Sequence, residues 1–128
     1  MQNLRYVGKN LFVEKLSIKN ILKKNKTPFY IYSESQIVFN FLKFANTFKK
    51  TNPLICFAAK SNSNLNILRV LGKLGAGADV VSGGELLKAL KAGIRPNKIV
   101  FSGVGKTEEE LKIAINKKIL LINCESES

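Results

Sequence analysis

PLICFAAKSNSNLNILRVLGKLGAGADVVSGGELLKAL, residues 53–90, decides the fold. Its first eight residues, 53–60, are almost continuously apolar, as in a strand covered on both faces. Leu65, Leu68, Leu71 and Leu74 then recur at helical spacing, and Gly75 and Gly77 close that helix. ADVVS (78–82) reads as a second buried strand. Gly83 and Gly84 lead into a short helix, ELLKALKAG, with Leu86, Leu87 and Leu90 facing one way and Lys88 and Lys91 the other. Strand, helix, strand, helix is the βαβ pattern, which implies a parallel sheet.

The same alternation continues on both sides. Downstream, Arg95-Pro96-Asn97 turns the chain into a strand, KIVFS (98–102). Thr107 and Glu110 have the spacing of a capping box, and Leu111, Ala114 and Ile115 give the following helix its buried face. A last strand, KILLINCES, runs from Lys118 to about Ser126. Upstream, PFYIY (28–32) predicts a strand, Ser33 and Gln36 a capping box, and Ile37, Phe41, Phe44 and Phe48 one face of a helix. Lys49, Lys50 and Asn52-Pro53 end that helix. The fold class is α/β. A doubly wound sheet and a (β/α)8 barrel both fit, and a barrel takes about 250 residues, so this chain would hold half of one. Its last predicted strand has no closing helix, and open strand edges invite aggregation. The chain is therefore expected to be the N-terminal part of a longer protein.

Composition narrows the function. With 128 residues, 45% hydrophobic and 23% charged, the chain has the make-up of a globular domain and not of a disordered or collagenous one. No apolar run approaches the ~18 residues of a membrane span, and the N-terminus lacks the apolar core of a signal peptide. A cytoplasmic protein without a membrane partner is expected. Histidine is absent, which removes histidine triads and histidine-based zinc sites, and no metal site is expected. Cys56 and Cys124 lie in apolar runs without a C-x-x-C and are expected to be free thiols. The net charge is +12, yet only three of the 21 basic residues are arginine. The lysines are spread along the chain, and AT-rich codons alone can enrich Lys, Asn and Ile. Readers of nucleic acid favour arginine for bidentate and stacking contacts. Nucleic acid is not expected as the partner.

Several segments carry candidate chemistry. Gly105-Lys106-Thr107 resembles the end of a P-loop, but Val100 stands where the first glycine belongs. A tight turn with Thr107 as N-cap is the better reading. Gly75-Ala-Gly77 precedes a strand, whereas the dinucleotide fingerprint follows one. Lys60 ends the strand LICFAA, at the end of the sheet where (β/α) folds place their sites. An amine among apolar walls is desolvated, which favours the neutral nucleophile, and such a lysine forms a Schiff base with carbonyls such as that of pyridoxal phosphate. Position alone favours a plain surface lysine that merely ends a strand. Asp79, inside ADVVS, needs a partner, and Lys60 on the neighbouring strand is a candidate. The backbone N–H groups of Ser82-Gly83-Gly84-Glu85 could hold an anion. Glu125, Ser126 and Glu127 either reach the site or are solvated.

Taken in order, TPFYIYSES, CFAAKSN, GADVVSGGELLKALKAG, IVFSGVGKTEEEL and INCESES resemble the bacterial diaminopimelate decarboxylase family over about residues 10–128. The resemblance implies the first half of an alanine-racemase-like (β/α)8 barrel at 34–128, with CFAAK as its first strand. Residues 1–33 would associate with the family's β-domain. It implies pyridoxal 5'-phosphate as cofactor, Lys60 as the residue that carries it, and Asp79 as the acidic residue near that lysine. It also implies meso-diaminopimelate as substrate, L-lysine as product and a homodimer. Ser61 replaces the alanine usual after the lysine. The family's phosphate-binding loop, cofactor-stacking histidine, acidic partner of the ring nitrogen and late cysteine would lie downstream, so the 128 residues alone are expected to be inactive. Related decarboxylases of arginine, ornithine or carboxynorspermidine share the lysine. A non-catalytic basic module binding RNA, or an anion at Gly83-Gly84, is the alternative from another class.

Overall fold

The structure is a computed structural model and describes residues 3–127. It divides into two compact units, one up to Lys43 and one from Phe44.

The first unit opens with an antiparallel meander of β1 (Leu4–Val7), β2 (Asn10–Val13) and β3 (Leu16–Ser17). Gly8 and Lys9 form the two-residue turn between β1 and β2, and Gly8 takes the positive φ of +59° that such a turn requires. A short helix, α1 (Ile18–Leu22), follows, capped by Ser17. The sequence analysis assigned no elements here. Helix α2 (Glu34–Thr47) begins in this unit. Glu14 pins its start: one carboxylate oxygen accepts from Ser33 Oγ, Ser35 N and Ser35 Oγ at 2.7, 3.0 and 2.8 Å. These bonds, the Ser33 hydroxyl first, hold the Glu14 carboxyl below its ordinary range.

Two expectations fail in this region. PFYIY is not a strand; among the described residues no neighbour pairs with it, and Tyr30 is 90% exposed, stacked on Tyr32. An apolar, aromatic run becomes a strand only where a ladder is offered, and the three strands of this unit pair with one another. The Ser33–Gln36 capping box is half formed. Ser33 accepts from Gln36 N, but the Gln36 side chain instead donates to Asn40 and accepts from Asn3. The helical face of Ile37, Phe41, Phe44 and Phe48 ends on two exposed rings, Phe44 and Phe48, 5.0 Å apart.

The second unit is the α/β body. Four parallel strands lie in the order β4 (Cys56–Ala58), β5 (Gly77–Val80), β6 (Ile99–Phe101), β7 (Leu121–Ile122). Helices α3 (Leu65–Lys73), α4 (Gly83–Lys91) and α5 (Glu108–Asn116) connect them. The strands are shorter than the apolar runs from which they were read. Period-2 alternation assigns the faces. Phe57, Ala78, Val80, Ile99, Phe101 and Ile122 pack against Leu68, Leu86, Ala89 and Ala114 of the helices. Burying side chains such as Phe101, Leu68 and Leu86 contributes about 1.5–3 kcal/mol each. Cys56, Ala58, Gly77, Asp79, Val100 and Leu121 lie on the other face. Leu87 and Ile115, expected inside, are exposed, because the buried stripes run through Leu86 and Ala89 and through Ala114.

All three helices end in the same hydrogen-bonded cap. Ala76 N donates to Leu71 O, Ile94 N to Ala89 O and Ile119 N to Ala114 O. The residue that must turn left-handed is glycine after α3 and α4 (Gly75, Gly93) but Lys118 after α5, at φ +54°. A side chain there costs about 1 kcal/mol, so Lys118→Gly is expected to stabilise the protein by about 0.5–1 kcal/mol in chemical denaturation.

At the start of α5 the capping box of Thr107 and Glu110 is complete in both halves. Glu110 also reaches the start of α4, where Gly83 N donates to its Oε1 at 2.6 Å. A Cβ on Gly83 would meet Glu110 Cγ at 2.9 Å, so this contact needs a glycine. The Gly83 N–H first, and then the Thr107 N–H, hold the Glu110 carboxyl below its ordinary value of 4.5. A depressed folded-state value gives stability that is present above the ordinary value and is lost as pH falls through the lowered one. Glu110→Gln is therefore expected to melt below the parent at pH 7. The gap in melting temperature should close as pH falls below 4.5.

Candidate functional site

The C-terminal ends of β4–β7 gather the candidate residues on the face away from the helices. The register pairs Ala58 with Asp79, Asp79 with Val100 and Val100 with Leu121. Two residues further along each strand path stand Lys60, Val81, Ser102 and Asn123. Asn123 Nδ2 donates to Ser102 Oγ at 2.9 Å, and Ser102 N continues the ladder to Val80 O at 2.8 Å.

Lys60 does not end the strand itself. It sits in a 3-10 turn, Ala59–Ser61, that follows β4 directly. The turn is closed by Asn62 N to Ala59 O at 3.1 Å and by Ser61 Oγ donating to Ala58 O at 2.7 Å. Ser61, the departure from the family pattern, thus ties the lysine turn back to β4. Ala59 points into the core and is fully buried, which holds the turn in place. Lys60 is exposed and not enclosed by apolar walls as expected. Among the described residues its amine has no hydrogen-bond or ion-pair partner.

Asp79 is half-buried, and its Oδ1 is shut off from solvent without a hydrogen bond. The expected Lys60–Asp79 ion pair is not formed among the described residues. A carboxylate oxygen removed from water without a donor costs free energy, so this is a position that favours an incoming donor or cation. Cys56 lies on the same face, and burial first, then the Asp79 charge, raises its thiol above the ordinary 9.0, against the opposing effect of Lys98. The neutral thiol donates weakly to Lys98 O at 3.9 Å and is a poor nucleophile at neutral pH. Both cysteines are free, as the sequence implied.

The anion cradle expected at Ser82-Gly83-Gly84-Glu85 is partly filled by the chain. Gly83 N is bound by Glu110, Val81 N donates to Glu85 Oε2 at 2.9 Å, and Glu85 N to Ser82 Oγ at 3.3 Å. At the start of α3, Asn62 accepts from Asn64 N and Asn64 from Asn66 N. Thr107 and Glu110 close α5. The helix N-termini that could have gripped a phosphate are thus capped by side chains. Of the three residues at the end of the chain, Glu125 joins the site by pairing with Lys106 at 2.8 Å. Sequence reasoning missed that pair, because Lys106 was weighed only as part of a P-loop remnant.

The residues present fit one end of pyridoxal phosphate. A primary amine without a partner among the described residues, and on the neighbouring strand a half-buried carboxylate with one unsatisfied oxygen, suit a carbonyl-bearing, partly cationic ring. The capped helix starts offer its phosphate nothing comparable among the described residues. No helix among the described residues is long and apolar enough to cross a membrane.

Comparison with known proteins agrees with this geometry. Residues 34–128 match the family described as "Pyridoxal-dependent decarboxylase, pyridoxal binding domain". The chain is 47% identical over 123 residues to the diaminopimelate decarboxylase of Aquifex aeolicus, covering 96% of this chain and 29% of that protein. A crystal structure of an Aquifex aeolicus protein superposes with a TM-score of 0.92 at 47% identity, covering 97% of this chain and 31% of the other. Diaminopimelate decarboxylase of Helicobacter pylori, complexed with L-lysine, gives a TM-score of 0.81 at 49% identity, with 84% and 27% covered. The chain therefore spans about three-tenths of the length of the relatives it matches. Its α/β body is homologous to the alanine-racemase-like β/α barrel domain of these enzymes. By that match over residues 34–128 and by these identities, the chain belongs to the pyridoxal-dependent decarboxylases and falls within their pyridoxal-binding domain.

Proposed function

We propose that the whole protein decarboxylates meso-2,6-diaminopimelate to L-lysine with pyridoxal 5'-phosphate, as the last step of lysine formation. The observation that carries the reading is Lys60, an amine without a partner among the described residues, in a tight turn at the C-terminal end of β4, next in the sheet to the strand of Asp79 with its orphan Oδ1. Identity of 47–51% to diaminopimelate decarboxylases of Aquifex aeolicus and Helicobacter pylori supports that substrate over others. Neighbours named as arginine and lysine decarboxylases fall to 22–24% and share the fold alone.

Lys60 would hold the cofactor covalently through Nζ. When bound, the cofactor supplies an electron-accepting ring that stabilises the negative charge left as CO2 departs. Asp79 accepts a hydrogen bond, or balances positive charge, at Oδ1. Cys56, kept protonated, does not compete with Lys60 for the carbonyl. Ser61 fixes the turn from which Lys60 projects.

The grip on the phosphate comes from residues other than the capped helix starts described above, so the 128 residues alone are expected to be inactive. Residues 1–33 belong with the β-domain, and residues 34–128 form part of the barrel. The whole enzyme works as a homodimer in the cytoplasm, without nucleic acid or membrane as partner.

The test is chemical. Borohydride reduction of the full-length protein loaded with pyridoxal phosphate should leave the pyridoxyl label on the peptide containing Lys60. Lys60→Ala should abolish labelling and lower CO2 release from meso-diaminopimelate by about 10³-fold or more. Label on another lysine would sink the assignment.

A further inference from the structure

The turn between β6 and α5 buries a lysine that this site does not use directly. The Lys106 side chain is only 8% exposed, although lysine is among the residues least often buried. Its ammonium donates to both carboxylate oxygens of Glu125, at 2.9 and 2.8 Å, and to the Gly103 carbonyl. An ammonium has three protons to donate, and here there are three acceptors. A buried cation so completely paired is fixed in place, and removing its partner leaves an uncompensated charge. The pair ties the turn after β6 to the segment after β7. The bond from Asn123 to Ser102 joins the same two segments one step closer to the sheet.

The Gly103 end of this clamp leads toward Asp79. A Cβ on Gly103 would lie 2.4 Å from the Val81 carbonyl oxygen and 3.1 Å from its Cα, so the two backbones are in the closest contact that glycine allows. From the other side, Val81 N is held by Glu85. Val81 follows β5 directly and stands two residues beyond Asp79. The carbonyl that Lys106 grips thus belongs to the residue that presses on the exit of the strand carrying Asp79.

We propose that Lys106 is a positioning residue for the Asp79 carboxylate. Neutralised by Glu125, it holds Gly103 against Val81 and so sets where Asp79 stands relative to Lys60. The proposal rests on the assignment of Lys60 and Asp79 to the cofactor site. Lys106 touches neither cofactor nor substrate in this account. It acts through the backbone of two adjoining strand exits.

The experiment uses the full-length protein and two readouts. In the cofactor-free form, amide hydrogen exchange is followed over residues 79–83. Lys106→Met should speed exchange there by about fivefold or more, and Lys106→Arg, which keeps the charge and the donors, should not. In the second arm, the dissociation constant for pyridoxal phosphate is measured in the parent, Lys106→Met, Asp79→Asn and the double variant. Lys106→Met should weaken binding by about tenfold in the parent and by less than about twofold in the Asp79→Asn background, the non-additivity expected of residues acting through one another. An equal loss in both backgrounds would show an ordinary structural brace and overturn the proposal, as would unchanged exchange. If Lys106→Met does not fold, Glu125→Gln takes its place under the same criteria. A parent that carries no cofactor on Lys60 would instead refute the functional assignment, and the exchange arm would still decide whether Lys106 holds the exit of β5.

Discussion

The register of β5 between β4 and β6 is the constraint on which the site depends. Gly77 sets it from below. A Cβ there would lie 2.2 Å from the Lys98 carbonyl and 2.8 Å from Cys56 Sγ, so the first residue of β5 must be glycine for three strands to meet. With Gly77 opposite Cys56, Asp79 falls opposite Ala58 and Val100 and turns away from the helices. Because side chains alternate with period two, a slip of one residue would drive Asp79 into the layer of Leu68 and Leu86 and turn Ala78 outward. A carboxylate in that apolar layer would cost several kcal/mol, whereas on the other face it meets the end of the sheet where ligands bind. The apolar packing of Ala78 and Val80 and the outward placement of Asp79 are therefore one selection, made by the same pleat.

The rim above that register is held by charges that the chain uses on itself. Three of its nine acidic residues, Glu85, Glu110 and Glu125, lie here, and each bonds a backbone amide or a lysine belonging to a strand exit. Glu110 has two functions at once: it completes the cap of α5 and occupies the first N–H of α4. A helix N-terminus is a ready anion site, and this chain fills its own with carboxylates and side-chain amides. The consequence is a division of labour. In the proposed function these strand ends would supply an amine and a carboxylate on a braced frame, and the grip on an external phosphate would be left to other residues.

How much of this could be read in advance follows from the kind of signal each feature leaves. The four parallel strands and the three helices between them were legible, because burial on both faces writes long apolar runs and helices write 3.6-residue stripes. Thr107 and Glu110 were legible as a pair because their bond is local. The places of Lys60, just after β4, and Asp79, within β5, were legible from the apolar runs around them; their roles rest on the family motifs. PFYIY misled, since its composition is that of a strand but its pairing depends on neighbours elsewhere in the chain. The meander of β1–β3 went unassigned because its strands are two to four residues long, too short for a clear period. The clamp of Lys106 and Glu125 joins residues 19 apart through a turn, and no local pattern encodes it.

Two lysines at one rim show why the large positive charge says little about function. Composition cannot tell Lys60 from Lys106, and the excess of +12 would count them alike. Lys106 is buried with three acceptors for its three protons. It ties the turn after β6 to the segment after β7. Lys60 is exposed, has no acceptor among the described residues, and follows the strand next to that of Asp79, whose Oδ1 lacks a donor. An amine that no neighbour holds is free to approach a carbonyl carbon. What surrounds two identical side chains thus tells them apart: one ties two strand exits together, and the other is left without a partner among the described residues.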